Sequence, residues 1–430
     1  MSPEFEERLH GILPELAAEF GTPFHIYDET GIVEGGEALK ATFAGIHGFR
    51  EYFAVKALPT LRVLQILKDD LGFGFDCSSL PELEMAGMLG CGPDDVMFTS
   101  NNTSAREFEA ALDSGCILNL DDASFVRKVP RMPELICFRY NPGPEREGNS
   151  AIGRPEEAKF GVPRDQIVQA YQDAQARGAR RFGLHTMLVT NELDCGYIIE
   201  TVRMLLRVVE DVTAATGTAF EFVNIGGGIG TPYRPGEAAF DLPRLAEATA
   251  QELEAFRRRQ GYVPAIYTEC GRLITAPHGV LVTSVLNVMQ KYRRFVGVDA
   301  SASDFFRPTR DRYNHITVVG AGGGVKSGDE VTVDVAGSQC TNNDKFARQR
   351  PLPPVQEGDF ILIHDSGAHG LARGAQYNAR LRAKELFLRR DGTVELIRRK
   401  ETTEDYLRTQ MDLDSHTFRP GPRAPATGAR

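Results

Sequence analysis

Positive charge is scarce in this 430-residue sequence: 49 lysines and arginines stand against 59 aspartates and glutamates, for a formal net charge of -10. That leaves no basic footprint for nucleic acid or an anionic membrane. No apolar run is long enough to span a bilayer, and the first residues lack the charged-then-apolar pattern of a secretory leader. Close cysteine pairs are missing too. The seven cysteines (77, 91, 116, 137, 195, 270 and 340) are scattered and odd in number, and most lie in apolar strand-like runs. They read as small buried hydrophobes in a reducing compartment, so a cytoplasmic protein is the expectation. Gly320-Ala321-Gly322-Gly323-Gly324 lacks the Gly-Lys-Ser/Thr ending of a nucleotide loop and reads as a flexible connection. No internal repeat is visible, and no metal-ligand set suggests itself.

What is present is ordinary globular composition, 42% hydrophobic and 25% charged, in a chain long enough for two domains. An amphipathic helix from Phe5 to Phe20 opens it, and Pro23 to Tyr27 reads as a strand. From Tyr52 onward eight strand-like runs recur: 52–56, 73–77, 96–100, 117–121, 135–140, 182–186, 220–225 and 265–269. Helical patterns fill most of the gaps, two of them opening on capping-box spacings, Ser79 with Glu82 and Ser104 with Glu107. Strand and helix alternating in this way imply parallel strands with right-handed crossovers. Eight units match a (β/α)8 TIM-type barrel over 25–275, and an open doubly wound sheet is the alternative that periodicity leaves. After Ala276 strands follow one another without long helices. Residues 276–417, with 1–24, therefore read as an antiparallel β-sandwich or barrel domain, with Arg389 to Thr393 as a hairpin turn. The stretch 418–430, rich in Pro, Arg, Gly and Ala, reads as a disordered tail.

In a parallel barrel, chemistry gathers where the strands end. Those ends carry Lys56, Asp76, Asn101, Arg139, His185, Gly226-Gly227-Gly228, and Glu269 with Arg272. Each has an ordinary structural explanation alone, as a helix cap, a satisfied core histidine or half of an ion pair. Their coincidence at one end does not. Three glycines after a strand offer bare amides to a phosphate. A lysine, a phosphate cradle and a carboxylate at one mouth suggest pyridoxal 5'-phosphate, with the acid at the pyridine nitrogen and His185 against the ring.

These residues sit in longer stretches: YFAVKA (52–57), FGFDCSSLPEL (73–83), GLHTMLVTN (183–191), NIGGGIG (224–230), ECGR (269–272), GVDASASDFFRP (297–308), CTNNDKFA (340–347), HDSGAHG (364–370) and YNARLR (377–382). In that order, over roughly residues 20–405, the sequence resembles the fold-type III pyridoxal-phosphate decarboxylases, and among them the diaminopimelate decarboxylases. The resemblance implies that Lys56 is the Schiff-base lysine, supported by Asp76 and Glu82, and that His185 stacks on the ring. Gly226, Gly227, Gly228 and Tyr377 would bind phosphate, and Glu269 would pair with the ring nitrogen. Arg272 and Arg307 would meet phosphate or substrate carboxylates, with Arg139, Tyr313, Thr341 and Tyr377 completing the substrate pocket. Cys340 would act from the partner subunit of a homodimer, returning a proton to the carbanion after CO2 leaves. Meso-diaminopimelate, giving L-lysine, is the default substrate.

The sequence departs from the family pattern in four places. Thr341 stands where a glutamate meets the distal ammonium of diaminopimelate. After Arg307-Pro308 comes Thr309-Arg310-Asp311-Arg312 rather than an early tyrosine, so that Tyr313 matches a later one. Cys270 replaces a proline, and Thr186-Met187-Leu188 replace Ile-Gly-Ser. The first two favour another amino acid, or an amino-acid conjugate of specialised metabolism, whose distal group is not an ammonium. A racemase would carry an arginine at the ring nitrogen and a tyrosine base, which Glu269 and Cys340 disfavour. A catalytically silent binding homologue would not need Lys56, Glu269 and Cys340 together.

Overall fold

The computed structural model describes residues 1–149, 152–310 and 312–410; the expected disordered tail at 418–430 lies outside the described residues. The opening helix, Pro3–Phe20, is capped by Ser2, whose hydroxyl accepts the Phe5 amide at 3.1 Å. It buries Phe5, Leu9, Leu13 and Leu16 along one stripe. Strand β1 (Phe24–Asp28) follows, and its last residue caps the helix Glu29–Thr42 by accepting the Thr30 and Gly31 amides.

The next strands are β2 (Arg50–Ala54), β3 (Gly74–Cys77), β4 (Val96–Phe98), β5 (Ile117–Leu120), β6 (Leu135–Asn141), the short β7 (Val162–Pro163), β8 (Arg181–His185), β9 (Phe220–Asn224) and β10 (Ala265–Thr268). Apart from β7, which pairs only with β6, they run parallel as β2-β3-β4-β5-β6-β8-β9-β10, and β10 pairs back onto β2. That closing pair makes a (β/α)8 barrel and removes the open-sheet alternative. Side chains alternate along each strand. Tyr52, Met97, Ile117, Cys137 and Phe222 fill the barrel interior, while Phe53, Phe75, Phe98, Phe138 and Val223 pack outward against the helices. Gly183 makes room for this filling: a Cβ there would lie 2.0 Å from the Phe222 ring. The plugged interior confines open space to the strand ends.

The second domain adds β11 (Gly279–Gln290), β12 (Arg294–Val298), β13 (Ile316–Val319), β14 (Val331–Ala336), β15 (Lys345–Leu352), β16 (Phe360–Ile363), β17 (Lys384–Leu388) and β18 (Val394–Arg398). β1 belongs here, between β11, to which it is antiparallel, and β17, to which it is parallel. The barrel portion therefore begins with the helix Glu29–Thr42, not at residue 25. The sheet is mixed rather than antiparallel, since β12 and β14 also run parallel. The physical reason is connectivity: the barrel is inserted between β1 and β11, and β13 is an excursion between β12 and β14. Val280, Val282 and Leu386 face the opening helix, while Leu281, Val296 and Ile361 form a second core on the other side. The glycine run expected to be flexible is a hydrogen-bonded reversal, with Gly320 and Gly323 donating to Gly324 and Gly320 at 2.8 Å. Arg389 to Thr393 close the β17–β18 hairpin. Among the described residues no helix is long and apolar enough to cross a membrane.

Candidate active site

Lys56 sits in a single 3-10 turn, Val55–Ala57, immediately beyond β2. Its ammonium donates to Asp76 Oδ2 at 2.7 Å, and its side chain is 48% exposed to the mouth while Asp76, on β3, is only 1% exposed. Burial pulls the lysine pKa down, but the carboxylates of Asp76, Glu269 and Glu82 outweigh it and hold the ammonium above its ordinary value. Asp76 itself is raised, by burial and by the charge of Glu269 against the pull of Lys56. Glu82 does not close the expected capping box with Ser79. Its carboxylate accepts the Ser78 amide at 2.6 Å, fixing the turn beyond Asp76.

Glu269 follows β10 and lies at the buried end of the mouth. Its Oε2 meets His185 Nε2 at 3.2 Å, and its Oε1 accepts from Asn224 Nδ2 at 2.7 Å. Burial alone would raise Glu269, but His185, Lys56 and the Asn224 bond hold it below the ordinary glutamate value. Asp76 Oδ1, His185 Nδ1 and Arg139 Nε are buried without a hydrogen-bond partner among the described residues. Such atoms cost stability unless a ligand meets them.

The triple glycine is dictated by backbone packing. Gly226 and Gly228 adopt φ of +72° and +90°, and a Cβ at Gly226, Gly227 or Gly228 would fall 2.2, 2.3 or 2.2 Å from the carbonyls of Thr186, Glu269 and Val189. The loops after β8, β9 and β10 therefore touch backbone to backbone. The Gly226 amide donates to Asn224 Oδ1 at 2.8 Å, whereas those of Gly227 and Gly228 make no hydrogen bond among the described residues. On the neighbouring loop Thr186 spends its hydroxyl on the Tyr140 carbonyl at 2.8 Å.

Arg272 and Arg307 share Tyr233: Arg272 donates to its hydroxyl at 2.5 Å, and the Arg307 guanidinium lies 3.4 Å from its ring centre. Both line a cavity of about 370 Å³ together with Arg310, Arg312, Arg373 and His369. Burial and the charges of Arg272 and Arg312 bring Arg307 down to about 10, despite Tyr233 and Asp365. His369, in left-handed conformation, donates its amide to the Ala57 carbonyl at 2.7 Å and so ties the second domain to the lysine turn. Burial and the charges of Arg272, Lys56 and Arg373 push its imidazole down to about 3, which keeps it neutral.

Of the other residues singled out in the sequence, Arg139 stands in register with His185 on the neighbouring strand. Arg139 is buried on Phe160, 3.8 Å from the ring centre, and 3.5 Å from Asp121, which also accepts from Asn101 at 2.7 Å. The Tyr313 ring is packed between Arg234 and Arg350, and it is its carbonyl that meets Arg307, at 2.6 Å. Cys340, Thr341 and Tyr377 line a second, 680 Å³ cavity on the β domain, which shares Phe306 and Arg310 with the arginine-lined one. Asn378, at φ +56°, accepts the Cys340 amide at 2.6 Å. Asn224, Tyr233, His369 and Arg373 were given no role from sequence, although Asn224 and His369 stand inside motifs already singled out.

A family model described as pyridoxal-dependent decarboxylase, pyridoxal binding domain, matches residues 32–276. The chain belongs to that family. Protein TabA of Pseudomonas amygdali pv. tabaci is 43% identical over 408 residues, covering 94% of this chain and 95% of its own length. The diaminopimelate decarboxylase of Methanothermobacter thermautotrophicus is 35% identical, covering 92% and 93%. Among solved structures, the M. jannaschii diaminopimelate decarboxylase in complex with L-lysine superposes with a TM-score of 0.85 at 26% identity, covering 93% of this chain and 94% of that one.

These decarboxylases use pyridoxal phosphate, and the residues present fit it. Lys56 would supply an amine for its aldehyde carbon, the Gly227 and Gly228 amides would supply donors for its phosphate, and Glu269 would supply a buried carboxylate for its ring nitrogen. The unpartnered Asp76 Oδ1 and His185 Nδ1 mark polar space that the protein alone leaves unfilled. When bound, the cofactor supplies the electron sink for the carbanion that CO2 departure leaves. Glu269, held ionised by His185, Lys56 and Asn224, would keep a proton on the ring nitrogen. Asp76 holds the Lys56 amine in place and receives its charge. The plugged barrel below excludes water from that face.

Proposed function

We propose that this decarboxylase acts on an α-amino acid bearing a distal anionic group, and that it works as a homodimer in the cytoplasm. The observation that carries the reading is the cavity of about 370 Å³ beside the lysine turn, lined by five arginines and no carboxylate among the described residues. Meso-diaminopimelate, with its distal carboxylate, is the first substrate to try, and L-lysine and CO2 would be its products. The 35% identity to a diaminopimelate decarboxylase supports that choice. A dimer is favoured because Cys340, Thr341 and Tyr377 line an open cavity of their own, on the β domain, where a partner subunit's mouth would receive them. Cys340 is exposed, as a proton donor to a neighbouring site must be.

A second substrate reading is favoured by Thr341, an exposed, uncharged residue at the position where the family pattern places a carboxylate. A charge-assisted bond of the kind it forgoes is worth about 1.5–3 kcal/mol, or roughly 10- to 150-fold in affinity. The alternative substrate is an amino acid or conjugate without a distal ammonium. The deciding experiment is CO2 release from meso-diaminopimelate by the cofactor-loaded protein, with Lys56→Ala as control. Lysine-forming turnover lost in the control supports diaminopimelate. Bound cofactor without turnover removes it and turns the search to the alternative.

A further inference from the structure

We propose that the arginine-lined cavity receives a substrate tail carrying two negative charges and no ammonium, either a phosphoryl-like group or a pair of carboxylates. The inference rests on the decarboxylase reading and specifies its substrate class. One distal carboxylate needs one or two guanidiniums, because a single fork already satisfies both oxygens. Here Arg272 and Arg307 fill that need, and each is fixed by neutral partners: Arg272 by the Tyr233 hydroxyl, and Arg307 by the Tyr313 carbonyl and Asn314 Oδ1. Arg310, Arg312 and Arg373 are surplus to it.

The guanidiniums of those three make no hydrogen bond or ion pair to any described residue; Arg310 only lies 6.0 Å from the Phe306 ring centre. Among the described residues no Asp or Glu lines the cavity, and Asp365 acts on Arg307 without a hydrogen bond or ion pair to it. The positive charges are mutually felt. Arg272 and Arg312 both depress Arg307, and Arg272, Arg373 and Lys56 all depress His369. Five guanidiniums around one cavity with no lining carboxylate among the described residues repel one another, so the arrangement favours a ligand that brings more than one negative charge. The same field disfavours a distal ammonium. At the one place where the family pattern offers such an ammonium a carboxylate, this chain has Thr341. Asn191 and Thr190, which line the same cavity, are neutral and suit acid oxygens equally well.

The test compares four amino acids with the same α-amino head: meso-diaminopimelate, 2-aminoheptanedioate, 2-amino-6-phosphonohexanoate and an analogue ending in a geminal dicarboxylate. CO2 release is followed with the cofactor-loaded protein, and binding by calorimetry with the Lys56→Ala protein, which does not turn over. We expect one of the dianions to exceed both other compounds by about tenfold or more in kcat/KM and in affinity, and which dianion wins identifies the group. The Arg310→Ala/Arg373→Ala double variant should collapse that preference toward unity. A dianion that neither binds nor reacts better than meso-diaminopimelate overturns the inference while leaving the decarboxylase intact. If no compound releases CO2 but a dianion still binds tenfold tighter, the decarboxylase reading fails and the ligand class stands.

Discussion

Glu51 Oε1 accepts the amide hydrogen of Cys270 at 2.5 Å, and its Oε2 accepts the Thr268 hydroxyl at 2.5 Å, so one buried acid fastens both neighbours of Glu269. A proline at 270 would have no N–H to give; cysteine restores that donor. Burial, partly offset by these two bonds, pushes Glu51 from 4.5 up to about 8. The folded chain therefore keeps a proton that the unfolded chain releases from about pH 4.5 upward. Stability must fall across the window from about pH 4.5 to 8, by up to about 1.4 kcal/mol per pH unit, and level off above it. Glu51→Gln keeps the shape and removes the titration. Its Tm should change less than that of the parent between pH 6 and pH 8, and parallel curves for the two proteins would refute the assignment.

Asp76 makes a different kind of prediction. With Glu269 and Glu82 it keeps the Lys56 pKa above the ordinary lysine value, so the ammonium form persists as pH rises and is lost only above that value. Asp76→Asn removes a charge 2.7 Å from Nζ. Lys56 should then lose its proton at a lower pH and react with an amine reagent such as trinitrobenzenesulfonate at a correspondingly lower pH. The fit of the cofactor would suffer, with kcat/KM falling by roughly 10²-fold, the usual scale for a positioned polar partner. An unchanged pH profile of Lys56 labelling would show that Glu269 and Glu82 suffice.

Lys56, Asp76, His185 and Glu269 were legible in the sequence because each ends an apolar strand in a regular alternation, and a closed barrel brings strand ends together. β1 was not legible. Its five residues are buried on both sides, and such a strand pairs equally well with either sheet until the β11 and β17 edges are known. Glu82 has the spacing of a cap, and only the fold shows its carboxylate on the Ser78 amide instead. Tyr313 and Arg307 are close in sequence, yet the ring is captured by Arg234 and Arg350, and no local pattern announces those distant partners. His369 reaches the mouth from the second domain, more than 300 residues beyond Lys56, where its amide hydrogen-bonds the Ala57 carbonyl. Domain docking of this kind leaves no periodic trace.

Gly227 tests the backbone contact that joins the phosphate loop to Glu269. Its φ is not left-handed, so alanine is acceptable to the backbone, and the obstacle is the Glu269 carbonyl 2.3 Å from the new Cβ. Gly227→Ala must part the two loops, moving the carboxylate and the free amides together. The expected result is loss of cofactor affinity by at least about tenfold and a cost of about 1–3 kcal/mol in stability, the range for overpacking. A variant with native cofactor affinity and native Tm would show that the loops separate freely.

Asn224 joins the same two functions through one side chain. Its Nδ2 donates to Glu269 Oε1 at 2.7 Å and its Oδ1 accepts the Gly226 amide at 2.8 Å, and the residue is fully buried. Asn224→Ala removes both bonds and leaves a buried amide and a buried carboxylate oxygen unmet, at about 1–3 kcal/mol each. Asn224→Asp keeps the acceptor for Gly226 but sets a second acid against Glu269, so one of the two must take up a proton. The alanine variant should lose stability at all pH values. The aspartate variant should keep more of it at low pH and lose it as pH rises, because its shared proton is held only in the folded chain. Thermal unfolding at pH 5.5 and pH 8 separates the two, and equal pH slopes would mean that Asn224 serves the glycine loop alone.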